Sequence, residues 1–209
     1  MNLDLPNEFA ARLQLPLPGW RAHVRFQPEL SFGRHQGPSP RDARPAAVLA
    51  LLYPRENRWH VPLILRPAHM LDHASQISLP GGVIESGESS QQAALRECAE
   101  ELGGETGGAK LLGKLSDVYL FASGFHVIPW VAAIDSAPSW SPNPDEVEQV
   151  LEIPLSHFFA AASYGVMERQ MGDISFRAPC YRWHTEHIWG ATSMILAELA
   201  AVLEGVAVL

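Results

Sequence analysis

Cysteine is nearly absent: the 209 residues hold two, Cys98 and Cys180. Their separation matches no metal-ligand spacing, and two thiols make no disulfide framework. Lysine is as scarce. Lys110 and Lys114 are the lysines among fifteen basic residues, and the formal net charge is -8. A global basic field for a nucleic-acid backbone is therefore missing. No nucleic-acid partner is expected, and any phosphate ligand has to be held by local arginines or by a bound metal. Long apolar runs are also missing. The longest, near the C-terminus, is broken by Glu198, and neither half reaches the roughly 20 residues needed to span a bilayer. The start carries Asp4 and Glu8 and no basic segment leading into an apolar one, so no signal peptide and no membrane partner are expected. The default expectation is a cytoplasmic protein. Hydrophobic residues reach 47% and charged residues 18%, a composition that can bury a core. The length suits one domain with a modest extension.

Residues 1–43 are irregular and interrupted by six prolines between Pro6 and Pro40. They read as an N-terminal arm packed on the domain, with a short helix over Asn7–Leu15. The regular domain is expected over 44–209. Ala46–Leu52 is a continuous apolar run of strand length, as for a strand covered on both faces. Trp59–Leu65, Leu111–Phe121, Val127–Ile134 and Ile174–Tyr181 read as further strands, and Leu151–Leu155 as a short apolar segment. Helices are expected over Gln91–Leu102, capped by Ser89 or Ser90 and stopped by Gly103, and over Met194–Leu203. Strands mixed with a few helices imply an α/β layered fold around a mixed sheet.

The segment from Gly82 to Gly103 carries the chemistry. At about 100° per residue, Glu97, Glu100 and Glu101 fall within roughly a 100° arc of one helix face, with Leu95, Cys98 and Leu102 opposite. Three carboxylates on one arc repel each other, and the last helical turn prefers cations. A divalent ion removes both penalties, and hard ions such as Mg²⁺ take carboxylate oxygens. Glu88 lies near the helix start, within reach of Arg96. Cys98, on the packed face, reads as a small core residue.

The whole string resembles the Nudix box: Gly, five residues, Glu, seven residues, Arg-Glu, an apolar residue, any residue, Glu-Glu, any residue, Gly, apolar. Gly82, Glu88, Arg96, Glu97, Glu100, Glu101 and Gly103 match, and Gly104 departs at the final apolar position. A chance match has a probability on the order of 10⁻⁶ from average residue usage. The resemblance implies a Nudix-type α/β/α sandwich with a central mixed β-sheet. It implies a pyrophosphohydrolase that uses Mg²⁺ or Mn²⁺ on nucleoside diphosphates linked to another moiety. Glu97, Glu100 and Glu101 would hold the metal, with a backbone contact from Gly82. Arg96 and Glu88 would be partners that fix the box. The general base in this family is a box glutamate, Glu101 or Glu100, or a carboxylate from a distant loop, for which Glu146 aligns best.

The flanks resemble the coenzyme A pyrophosphatase branch. Arg66, Pro67, His73, Ala74, Gln76, Pro80, Gly81 and Gly82 agree with its upstream signature. Ser75 stands in place of glycine, Leu79 in place of phenylalanine and Leu71 where some members have arginine. This resemblance implies cleavage of coenzyme A or a derivative to 3′,5′-ADP and 4′-phosphopantetheine. Arg66 or Arg44 would meet the extra phosphate, Gly81 and Gly82 would approach the diphosphate, and His69 and His73 are candidate phosphate contacts. Hydrolysis of ADP-ribose, NADH or another dinucleotide is the alternative. A nucleotide-sensing module without turnover is a third reading, although such modules lose box glutamates. The six tryptophans, Trp183 and Trp189 among them, could include a base-stacking platform. Core packing or a homodimer contact is the plainer reading of each.

Overall fold

The computed structural model describes residues 2, 4–31, 38–70, 74–103 and 108–205. His73 and Leu71 of the upstream flank and Gly104 of the box lie outside them.

The chain opens with α1 (Leu5–Arg12) and the single turn α2 (Trp20–His23). The first helix starts two residues before the sequence pattern places it, because Pro6 is admitted in its first turn, where no N–H is needed. Two strands follow, β1 (Arg44–Arg55) and β2 (Arg58–Leu65), then the short β3 (Ile77–Ser78) and β4 (Gly81–Val83). Helix α3 (Ser90–Leu102) comes next. Four strands follow it: β5 (Lys110–Lys114), β6 (Val118–Leu120), β7 (Phe125–Ala133) and β8 (Gln149–Pro154). A meander of β9 (Tyr164–Met171), β10 (Ile174–Trp183) and β11 (Glu186–Trp189) leads into α4 (Gly190–Leu203). No helix among the described residues is long and apolar enough to cross a membrane.

The large sheet has eight strands in the order β3-β2-β1-β7-β5, with β4 on β1, β6 on β7 and β8 on β2. It is mixed: β1 and β7 run parallel from Arg44↔Phe125 to Leu52↔Ala133, and its other pairs are antiparallel. The unbroken apolar run of β1 has a simple cause. Ala47, Leu49 and Leu51 pack with Ala93, Ala94 and Cys98 of α3 on one face. Ala46, Ala50 and Leu52 pack with Met194, Leu196 and Leu199 of α4 on the other. Helices on both faces of a mixed sheet make an α/β/α sandwich. The arm shares the α4 side: Leu5, Phe9 and Phe26 are buried in that cluster, and Phe26 stacks on Tyr181 at 4.3 Å between ring centroids.

One expected strand is two. Over Leu111–Phe121 the ladder with β7 stops at Lys114, after a register shift between Leu111 and Gly113, and resumes at Val118. The cause is Glu198 of α4, fully buried, which accepts the Ser116 N–H (3.0 Å) and hydroxyl (2.6 Å) and so draws that backbone out of the sheet. The same carboxylate accepts the Gly19 N–H (2.9 Å) and lies 3.0 Å from His23 Nε2. Burial alone would raise its pKa, but the hydrogen bonds from His23 and Ser116 outweigh it and hold Glu198 below the ordinary glutamate range.

Candidate active site

Helix α3 is placed by its ends. At the start, Ser89 Oγ accepts from Gln92 N, and Gln92 Oε1 accepts from Ser89 N, a capping box that closes two free donors. At the finish, Gly103 takes a left-handed φ of 56°, and a side chain there would run into the Ser141 carbonyl. That close approach lets Ser141 N reach Leu102 O and Asn143 N reach Glu101 O, each at 3.0 Å. The Asn143–Glu146 turn is thereby docked on the end of the helix, which brings Glu146 close enough to act electrostatically on Glu97 and Glu101.

The preceding loop is pinned as tightly. Arg66 N donates to Gln76 O (3.0 Å) and Ser75 N to Arg66 O (3.1 Å), so the loop closes on its own ends. Ser75 sits there at φ 54°, a backbone region that favours glycine, the residue it replaces in the upstream signature. Beyond it, β4 pairs antiparallel with Ala46–Val48. The two glycines are what allow so close a fit. A Cβ on Gly81 would strike the Ala47 carbonyl, and one on Gly82 would stand 2.5 Å from the Glu97 carboxylate.

Glu101 is 3% exposed. One of its oxygens accepts the Gly81 N–H at 2.8 Å, and the other lies 3.9 Å from Arg66 Nη1. Burial pushes its carboxyl up to about 8, helped by the charges of Glu97 and Glu146 and opposed by the Gly81 N–H and Arg66. Burial likewise raises Glu97, against its bond to Arg96. Arg96 is the hub of the box. Its Nε and Nη2 hold both oxygens of Glu88 (2.9 and 3.0 Å), its Nη1 reaches Glu97 (2.8 Å) and Glu100 (3.0 Å), and its Nη2 also meets Val83 O. The bidentate bond from Arg96 keeps Glu88 below the ordinary range.

The three glutamates do not share one open arc. Arg96 bridges Glu97 and Glu100, while the charge of Glu100 on Glu97 and that of Glu97 on Glu101 still oppose ionisation. Glu101 belongs to the buried face with Ala94 and Cys98, because Gly81 supplies it a donor there. Among the described residues, no three acidic, histidine or cysteine side chains converge as a ready metal cage. The residues nevertheless suit a divalent cation. The donors are all carboxylate or carbonyl oxygen, as hard cations require. Glu101 is buried with the Arg66 guanidinium 3.9 Å away and the half-buried Glu97 nearby, and the missing Cβ of Gly82 leaves room beside Glu97.

A cavity of about 610 Å³ opens on the other face of β1. Ala46, Val48, Val127, Met194 and Ile195 form its floor, and Arg66, Gly81 and Gly82 its edge towards the box. Gln76, Ser78, Phe125, Phe176, Arg169 and Trp189 complete its walls. Arg66 therefore faces both the cavity and Glu101. Arg44 does not line it. Its exposed side chain donates to Ser123 O and lies over the Phe125 ring, 4.0 Å from the centroid. His69 is exposed on the loop. Sequence reasoning missed Gln76 as a wall residue, along with Ser78 and Arg169. Gln76 carried a signal, as part of the flanking resemblance, and Trp189 carried one as a tryptophan that could stack on a base.

A NUDIX domain profile matches residues 43–169. Over 197 residues the chain is 30% identical to NudL of Pectobacterium atrosepticum, described as an uncharacterized Nudix hydrolase, with 93% of this chain and 92% of that one covered. Over 195 residues it is 29% identical to NudL of Yersinia pestis, at 93% and 92% coverage. A MutT/nudix family protein from Enterococcus faecalis, known from a crystal structure, superposes with a TM-score of 0.51 at 16% identity, over 98% of this chain and 75% of that one. That last likeness is one of fold.

Proposed function

The chain belongs to the Nudix family of hydrolases, and from that membership we propose that it cleaves the diphosphate linkage of coenzyme A or a derivative, giving 3′,5′-ADP and 4′-phosphopantetheine. The observation that carries the reading is the meeting, at Gly81 and Gly82, of the buried Glu101 carboxylate with its half-buried neighbour Glu97 and a cavity of nucleotide size. The Arg66–Gly82 stretch, with its resemblance to the coenzyme A branch, is the part of the chain that joins them.

Nudix hydrolases work with divalent cations, and we take the ion here to be Mg²⁺ or Mn²⁺. Glu97, Glu100, Glu101 and the backbone of Gly82 would hold it. When bound, such a cation polarises phosphoryl oxygens and lowers the pKa of a bound water. The protein supplies the rest. Arg66 offers guanidinium donors to the diphosphate at the cavity edge. Arg96, anchored on Glu88, fixes the rotamers of Glu97 and Glu100. Glu101, or Glu146 on its docked turn, takes the proton from the attacking water. Water adds to one phosphorus, the bridging P–O bond breaks, and each phosphate leaves as a monoester.

The test is a substrate panel with Mg²⁺ or Mn²⁺: coenzyme A, acyl-coenzyme A, NADH, ADP-ribose and diadenosine polyphosphates. Turnover of coenzyme A, reduced about 10²–10⁴-fold in Glu101→Gln, is the expected result. Turnover confined to ADP-ribose or a dinucleotide would replace the substrate. No turnover at all, with metal still bound, would make the chain a sensing module.

A further inference from the structure

The cavity contains a second cation that the box does not use. Arg169 stands on β9 opposite Phe176 of β10, and its guanidinium carbon lies 4.7 Å from the ring centroid of Trp189 at the end of β11. Arg66 enters the same space from the large sheet, and Arg169 enters from the three-stranded one. Among the described residues these two are the charged side chains that line it, in a chain of net charge -8. They share a deficit: the Nε of each is buried with no hydrogen-bond partner among the described residues. Arg66 at least has Glu101 at 3.9 Å, whereas no acidic side chain among the described residues pairs with Arg169.

We propose that Arg169 and Trp189 form a second anion subsite that reads a phosphate monoester carried by the nucleotide in addition to its diphosphate. The assignment rests on the reading of the box edge as the diphosphate site. A guanidinium carries its donors in plane, along its edge, and a monoester dianion accepts two of them side by side. The indole beneath the Arg169 guanidinium holds the cation over its face, so less freedom is lost when the anion binds. The apolar lining of the cavity, Val48, Phe176 and Met194 among it, suits a nucleoside joining two anionic ends. A dinucleotide without the extra phosphate would leave Arg169 unpaired.

Calorimetric titration of the metal-free protein tests this directly, with adenosine 3′,5′-bisphosphate against AMP. The bisphosphate should bind about tenfold tighter or better. Arg169→Gln should erase that margin while keeping AMP affinity, and Arg169→Lys should restore part of it. Equal affinities in the wild type would overturn the subsite, as would an Arg169→Gln loss shared equally by both ligands when Arg169→Lys behaves the same way. Hydrolysis of coenzyme A and of dephospho-coenzyme A is measured separately. Failure to turn over either defeats the proposed function, while an Arg169-dependent margin in binding still upholds the subsite.

Discussion

Two adjacent glycines carry separate duties at the site. A methyl on Gly81 would meet the backbone of β1, which cannot retreat without breaking the ladder, whereas one on Gly82 would meet the end of a flexible glutamate. Gly81→Ala is therefore expected to lower the melting temperature sharply. Gly82→Ala should fold nearly as well as the wild type and lose most of its turnover, because Glu97 is displaced. Calorimetric melting and steady-state rates on the two variants separate the cases. Equal melting temperatures would refute the assignment. At Ser75 the prediction runs the other way. A left-handed backbone costs a non-glycine residue about 1–2 kcal/mol, and glycine gives back about 0.5–1 of that in unfolded-state entropy. Ser75→Gly should stabilise the protein by up to about 1 kcal/mol in urea unfolding. The pattern of the box was open to reading from the sequence because each of its residues is of a distinctive type at a set spacing. Beyond the Glu88–Arg96 pair, the partners of those residues were not. That Glu101 turns into the buried face depends on a donor, Gly81 N, that only the folded chain places there.

Among the elements, α4 shows how one residue can be misjudged on a line. In the sequence Glu198 is a break in an apolar run. In the fold it is the peg on which the arm and the β5–β6 connection hang, through Gly19, His23 and Ser116. Its pKa is depressed in the folded state, so its contribution is present above the ordinary glutamate range and is lost as pH falls through the folded value. Glu198→Gln should cost about 3 kcal/mol near neutral pH, since an amide nitrogen would face donors in a buried site. The gap between variant and wild type should shrink below roughly pH 4. A gap that stays constant from pH 7 to pH 3 in thermal melts would show that the carboxylate's charge is not what the peg depends on. The same residue explains why a strand read as continuous over Leu111–Phe121 is divided: the interruption is imposed from another element.

On the scale of the molecule, the large sheet separates the two parts of the candidate site. Carboxylates lie with α3 on one face, the cavity lies with α4 on the other, and the Gly81–Gly82 edge joins them. Adding Mg²⁺ or Mn²⁺ should relieve the buried acid and raise the melting temperature. A chelator should abolish hydrolysis and reverse that shift, and in Glu101→Gln the metal should raise the melting temperature little. A metal shift of equal size in the variant would place the ion elsewhere.

The amino-acid order alone determined the main periods and the motif: the apolar strands β1, β2, β7 and β10, the helices α3 and α4, where α3 ends, and which residue types crowd its last turns. Those are local properties, set by side-chain spacing, caps and glycines within a few residues of one another. Tertiary structure decided what faces what. It split the strand at Ser116, turned Glu101 onto the Gly81 N–H, left Arg44 outside the cavity, and set Arg169 on Trp189 from a second sheet. Such pairings join residues far apart in the chain, and their geometry exists only once the two sheets and the helices around them have packed.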